Sequence, residues 1–319
     1  LLNIDSEAEG ILTTGCAGGF LCETAIPLIK ERHDGAVAQV KVHGLRGGHS
    51  GAEIHQQRGN AHKMMGRLLN EMKEEFPLFL ISIDGGSKDN VIAMECTAQL
   101  LVTKDAVDKV SEKAKEMKAV WDHEFMGDEP GLAVDVSMIE TEKTMDVCDR
   151  QTTDRAISYL VICPNGVQGL ARKLPGLVET SLNIGVIKTE EDSIKINALV
   201  RSSVESQKEM MKRQMQCCAE LAGARIEISG EYPAWQYDPD SELRKVMEEA
   251  FQELYGKKPV VSAIHAGLEC GLFLGKSPDL DCVSFGPDLL DIHSFNERLG
   301  IDSTERTWNF LKAVLAKLK

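Results

Sequence analysis

The sequence predicts an α/β protein in two parts, a discontinuous α/β unit interrupted by an inserted α+β unit, and three observations predict it. Leu1 to Asp5 is a short apolar run ending in a carboxylate, the pattern of a strand buried on both faces of a parallel sheet. Ala38, Val40 and Val42 then alternate with Gln39, Lys41 and His43, which is a strand with one wet face. Beyond Pro239 the pattern returns to alternating helix and strand, as in an α/β layer. The changes place the discontinuous unit at residues 1–19 and 232–319 and the insertion at 20–231.

Each element has a local reason. Gly15-Cys16-Ala17-Gly18-Gly19 reads as a Gly-rich turn at the first boundary. Met64, Met65, Leu68, Leu69 and Met72 recur at helical spacing between Gly59 and Phe76, and Leu78–Ile83 and Val91–Val102 read as strands around Gly85-Gly86. Val107, Val110, Ala114 and Met117 mark a second helix, followed by a strand over Leu132–Ile139. A comparable order follows: a helix over Asp149–Ile162, strands near Val178–Ile187 and Ile194–Arg201, a helix over Glu205–Ala222 and a strand at Arg225–Ile228. The insertion is thus expected to be two related α+β halves sharing one sheet. Leu243, Val246, Met247, Ala250, Phe251 and Leu254 form the apolar stripe of a surface helix. Val260–Ile264 and Cys282–Phe285 are strand-like, and Thr307–Leu318 is an amphipathic closing helix.

The 319 residues suit about two domains. With 43% apolar and 27% charged residues the chain can bury more than one core, and no window approaches the roughly 20 apolar residues of a membrane span. A net charge of −14 argues against a nucleic-acid partner, which would need clustered cations. Nine cysteines without regular spacing, two of them adjacent at Cys217 and Cys218, favour a reducing cytoplasmic setting. The sequence opens in mid-strand, without an initiator Met or signal peptide, so the natural start is expected upstream.

Several residues could carry chemistry. Asp5 and His293 both lie just past expected strands of the discontinuous unit and could meet at one sheet edge, an oxygen/nitrogen set suited to zinc or a similar ion. Turn formation or helix capping is the competing role for such an Asp. His49, inside Gly47-Gly48-His49-Ser50-Gly51, sits where the backbone can approach another surface, or is a plain exposed turn histidine. Arg201 points off the core face of its strand and could hold a carboxylate or an oxyanion, against a solvated strand-end role. Asn90 could donate an amide hydrogen bond or form a turn. Backbone N–H groups around Gly267, between a strand and a helix, could hold a carboxylate. Cys270 is read as a small apolar residue. His33, His43, His55, His62 and His123 show no partner spacing and are expected to face solvent.

Asn3-Ile4-Asp5-Ser6-Glu7, Gly15–Gly19, Gly47–Gly51, Ile264-His265-Ala266-Gly267-Leu268-Glu269-Cys270-Gly271-Leu272-Phe273 and Gly286-Pro287 with His293-Ser294 together resemble the M20 metallopeptidases, most closely their aminoacyl-histidine dipeptidase branch. Order and spacing match along nearly the whole chain. The resemblance implies an α/β zinc-peptidase catalytic domain with an inserted lid. It implies two Zn2+ per intact site, with Co2+ or Mn2+ as substitutes, Asp5 a ligand of one and His293 of the other. His49 matches the lid histidine that stabilises the transition-state oxygen, in related enzymes often across a dimer. Asn90, Arg201 and Gly267 match substrate-holding positions, the last two at the carboxylate end.

One departure limits what the chain can do alone. The family's first His ligand, bridging Asp and Glu-Glu pair precede the position of Asp5 and have no counterpart here; Glu74-Glu75, Glu190-Glu191 and Glu248-Glu249 do not match that pair. The sequence therefore resembles the C-terminal two-thirds of such an enzyme and is expected to be inactive by itself. The expected activity of the intact protein is hydrolysis of Xaa-His dipeptides by a metal-activated water, in a cytoplasmic homodimer. The alternatives are a catalytically dead homologue serving as a dimerisation or binding module, and a related aminopeptidase or amidohydrolase.

Overall fold

The computed structural model describes residues 1–292 and 294–318. Two sheets organise them. The smaller has four strands, β1 (Leu2–Asn3), β2 (Ile11–Cys16), β12 (Val260–Ile264) and β13 (Val283–Ser284), in the order β1-β13-β2-β12. It draws on both ends of the sequence, and β1 pairs β13, and β12 pairs β2, in parallel. Helices α5 (Glu242–Tyr255), α6 (Glu269–Lys276) and α7 (Ile301–Lys317) pack on it. Leu12, Met247, Phe251, Val283, Phe285, Phe310 and Val314 make its main core, with Phe310 edge-on to both Phe251 and Phe285. β1 is the edge strand, and Leu1 and Ile4 are exposed, so the two-sided burial expected of this run is not met in this chain.

The larger sheet has nine strands: β3 (Gly18–Pro27), β4 (Lys30–His43), β5 (Leu78–Gly85), β6 (Cys96–Val102), β7 (Ala133–Cys148), β8 (Gly166–Leu170), β9 (Val178–Thr189), β10 (Ser193–Ser202) and β11 (Arg225–Tyr232). Their order is β11-β3-β10-β9-β5-β6-β4-β7, with β8 against β9. β5 and β9 meet through the single pair Gly85 and Ile187, so the sheet is a five-stranded half, β8 included, and a four-stranded half joined at a narrow seam. Helices α1 (Ala61–Glu75), α2 (Val107–Phe125), α3 (Arg150–Ile162) and α4 (Glu205–Leu221) cover it and share its main core. Side chains close the helix ends. Asn60 accepts from the N–H groups of His62 and Lys63, Asp149 accepts from Thr152, and Lys63 Nζ donates to the carbonyls of Val161 and Cys163 at the end of α3.

Three local expectations change. Gly15–Gly19 is not a turn. Gly15 and Cys16 end β2, Ala17 is the crossing, and Gly18 and Gly19 begin β3 in the other sheet. The glycines answer to crowding, because a Cβ on Gly18 would lie 2.4 Å from the Ala234 nitrogen and one on Gly19 2.5 Å from the Val200 carbonyl. Residues 86–95 are a loop, and β6 begins only at Cys96. His62 is fully buried rather than exposed.

Candidate active site

The site grows from the loop after β4. Gly47 and Gly48 have φ of +63° and +131°, a conformation side chains resist, and a Cβ on Gly48 would meet Arg58 Nη1 at 2.4 Å. The turn they allow holds His49 by its own backbone. Its N–H donates to Glu53 Oε2 at 2.8 Å, and its Nδ1 accepts from the N–H groups of Gly51 (3.2 Å) and Ala52 (3.1 Å). With Nδ1 an acceptor, the neutral ring carries its proton on Nε2. Burial and then the positive charge of Arg201 lower the His49 pKa below 6.5, against the pull of Glu53. The exposed imidazole is therefore a neutral Nε2–H donor at pH 7.

Arg201 faces the same place from β10. Ile194, Ile196, Ala198 and Val200 are buried in the core, as the alternation predicts, while Arg201 faces away from it. It is nevertheless only 6% exposed, so the solvated strand-end role does not apply. Nη1 donates to Ser50 Oγ at 2.7 Å, and Nε is buried with no hydrogen-bond partner among the described residues. Burial lowers its pKa and the nearby Tyr232 raises it. A guanidinium with an unused buried N–H is a ready partner for a carboxylate.

The third wall is the segment between β12 and α6. A Cβ on Gly51 would stand 2.9 Å from the His265 carbonyl, and one on Gly267 3.0 Å from the Tyr232 ring. His265 is buried, its Nε2 2.7 Å from Ser181 Oγ on β9, in register with Arg201. Burial and the charge of Arg201 push its pKa down to about 4. The structure thus brings His49, Arg201 and Gly267 together within one chain. Asn90 joins them by its backbone: its carbonyl accepts from the Ser50 N–H at 2.9 Å.

The proposed metal ligands stand differently. Asp5 is exposed just past β1, and His293 lies outside the described residues. Among the described residues one group of carboxylates has ligand spacing, Glu205, Glu209 and Glu231. Lys208 Nζ is already 2.8 Å from Glu205 and 3.3 Å from Glu231, and Lys212 2.8 Å from Glu209, so ammonium groups fill that place. The described residues by themselves do not compose a metal centre.

Comparison with known proteins fits this layout. Residues 40–129 match the peptidase dimerisation domain of M20 enzymes. The whole sequence is 36% identical to the cytosol non-specific dipeptidase of Escherichia coli (strain K12), covering 66% of that protein. The chain belongs to the M20 peptidase family. The crystal structure of aminoacylhistidine dipeptidase from Vibrio alginolyticus shares its fold, with a TM-score of 0.91 and 37% identity over 99% of this chain and 65% of that one. The M20 chain therefore spans about two-thirds of the length of these relatives. All nine cysteines are free, and no described helix is long and apolar enough to cross a membrane.

Sequence reasoning missed Ser50, Ser181, Tyr232 and the role of His265 in this M20 site. Tyr232 lies past the end of the strand expected at Arg225–Ile228. The signal that could have found it is the pair Gly19 and Gly267, whose missing side chains make room for its ring.

Proposed function

We propose that this chain is the lid and substrate-holding part of a metal-dependent dipeptidase that cleaves Xaa-His dipeptides. In this reading residues 1–19 and 232–319 belong to the catalytic domain and 20–231 form the lid. One observation carries it: a neutral, backbone-held His49 and a buried, partly unpaired Arg201 converge within a single chain.

Each residue then has a task. Arg201, with the backbone at Gly267 and the Asn90 amide, holds the substrate and fixes its C-terminal carboxylate. His49 Nε2–H faces the oxygen of the scissile carbonyl and donates to it as negative charge develops, a stabilisation largest in the transition state. Two divalent ions, taken here as Zn2+ with Co2+ or Mn2+ as substitutes, would supply an activated water when bound. Asp5 and His293 are assigned one ion each, and the general base is assigned to residues outside these 319.

The test is hydrolysis by the intact, metal-loaded protein of Xaa-His dipeptides against tripeptides and acyl-amino acids. Cleavage of the dipeptides is expected, and His49→Ala should lower kcat about 10²–10³-fold with KM nearly unchanged. Failure of the intact protein to cleave any dipeptide removes the reading.

A further inference from the structure

His49 rides on a loop between β4 and α1, and the two feet of that loop stand on one side chain. Glu129 lies between α2 and β7 and is only 5% exposed. Its Oε2 accepts from the Arg46 N–H and its Oε1 from the Gly59 N–H, each at 2.8 Å. Residues 46–59 therefore form a closed Ω-shaped excursion whose ends meet on a carboxylate 83 and 70 positions downstream. The clamp is itself anchored. The Leu132 N–H donates to the Glu129 carbonyl at 3.1 Å, and Gly44 runs so close to the Gly131 carbonyl that no side chain fits between them.

A short path of contacts leads from the feet to the ring. Arg58, next to Gly59, donates from Nη1 to the Gly47 carbonyl and pairs through Nη2 with Glu53 Oε1 at 2.8 Å. Gly47 adjoins Arg46, so Glu129, Arg46-Gly47 and Arg58-Gly59 close into one ring of bonds. Glu53 extends it to His49: its Oε2 accepts the His49 N–H and its own N–H donates to the His49 carbonyl, both at 2.8 Å. Gly48 is bare where this pair passes, since a Cβ there would lie 2.6 Å from Glu53 Oε2. The backbone of His49 is thus held on both sides of its ring.

We propose that Glu129 is a positioning residue for His49, keeping loop 46–59 closed so that the imidazole stands where it meets the oxygen of the scissile carbonyl. The proposal rests on the dipeptidase reading above. Glu129 acts at a distance, through Arg58 and Glu53. A carboxylate suits the task because it offers two acceptors to two separate stretches of backbone, and charge-assisted hydrogen bonds are about twice as strong as neutral ones. Without it both feet lose their partner and the loop can open to water. His49 then spends time away from the reacting oxygen, and a displacement of about 1 Å is enough to cost on the order of 10²-fold in rate. Glutamine keeps one acceptor and turns an N–H2 toward the other foot, so it loosens the clamp less.

The intact, metal-loaded protein is assayed on one Xaa-His dipeptide in four forms: wild type, Glu129→Ala, His49→Ala and the double variant. Glu129→Ala should lower kcat about 10- to 100-fold and change KM far less. The double variant should be no slower than His49→Ala alone, because a residue that acts only through His49 has nothing left to lose once the ring is gone. Losses that multiply in the double variant, or an unchanged kcat in Glu129→Ala, overturn the proposal. Should Glu129→Ala not fold, Glu129→Gln takes its place in the same cycle, with a smaller loss expected. If the wild type cleaves no dipeptide, the dipeptidase reading fails separately, and amide hydrogen exchange decides the clamp. Faster exchange at His49 and Gly59 in the Glu129 variant, with β10 amides as protected as before, supports it; unchanged exchange at His49 removes it.

Discussion

His62 and His265 are imidazoles that the fold keeps from water at two different junctions. His62 lies behind the seam between the sheet halves, its Nε2 3.4 Å from the Gly185 carbonyl, and His265 is held against Ser181. Burial, first in each case, pushes both pKa values from 6.5 to about 4. A histidine with a lowered folded pKa binds fewer protons folded than unfolded between those values. Its contribution is complete above pH 6.5 and is lost as pH falls toward about 4, by roughly 1.4 kcal/mol per pH unit for each ring. We predict that urea midpoints fall between pH 6.5 and 4.5 and that His62→Gln flattens the slope by about one proton; an unchanged slope would mean that His62 is already charged in the fold. Little of this was legible. Alternation placed Arg201 off the core face, but what dries it is Ser50, 151 positions away. His62 carries no mark in sequence, because the seam that buries it forms only when β5 meets β9.

Among elements, β3 shows why glycines mislead. Gly18 pairs with Ser202 and Gly19 with Arg201, so the strand that starts on glycine sets the register of the site. Gly18→Ala would bring a Cβ to 2.4 Å of the Ala234 backbone, which cannot step aside like a side-chain tip. A loss of about 1–3 kcal/mol or more is expected by denaturant unfolding, against a near-neutral Gly169→Ala, whose nearest neighbour would be 3.8 Å away. Equal effects of the two substitutions would deny that the crossing is crowded. The helices were legible because their apolar period is local: α1, α3, α4 and α5 start and stop within two residues of expectation. The strand expected from Val91 was not, for a physical reason. Ile92 and Ala93 are apolar because they are buried, while their segment is tied to the His49 loop by the Ile92 N–H and the Gly48 carbonyl.

On the scale of the molecule, the alternation of helix and strand expected beyond Pro239 is present, and its strands β12 and β13 return the chain to its first sheet. The approach of the two sheets at His49 and His265 was not legible, since no periodicity records which loops touch. That approach sets His49 beside Arg201 within one chain. The match of residues 40–129 to a dimerisation domain leads us to predict a homodimer. Light scattering on this chain should give twice 35.1 kDa at micromolar concentration, and a purely monomeric mass would remove the prediction. The crossing at Ala17 has a further consequence. Cys16 and Trp235 exchange both backbone hydrogen bonds, and Gly19 lies opposite Tyr232, so the chain leaves the small sheet and re-enters it through the same doorway. To the strands that precede and follow, the whole excursion is a loop with touching ends, and its length can grow or shrink over generations without pulling on the sheet beneath.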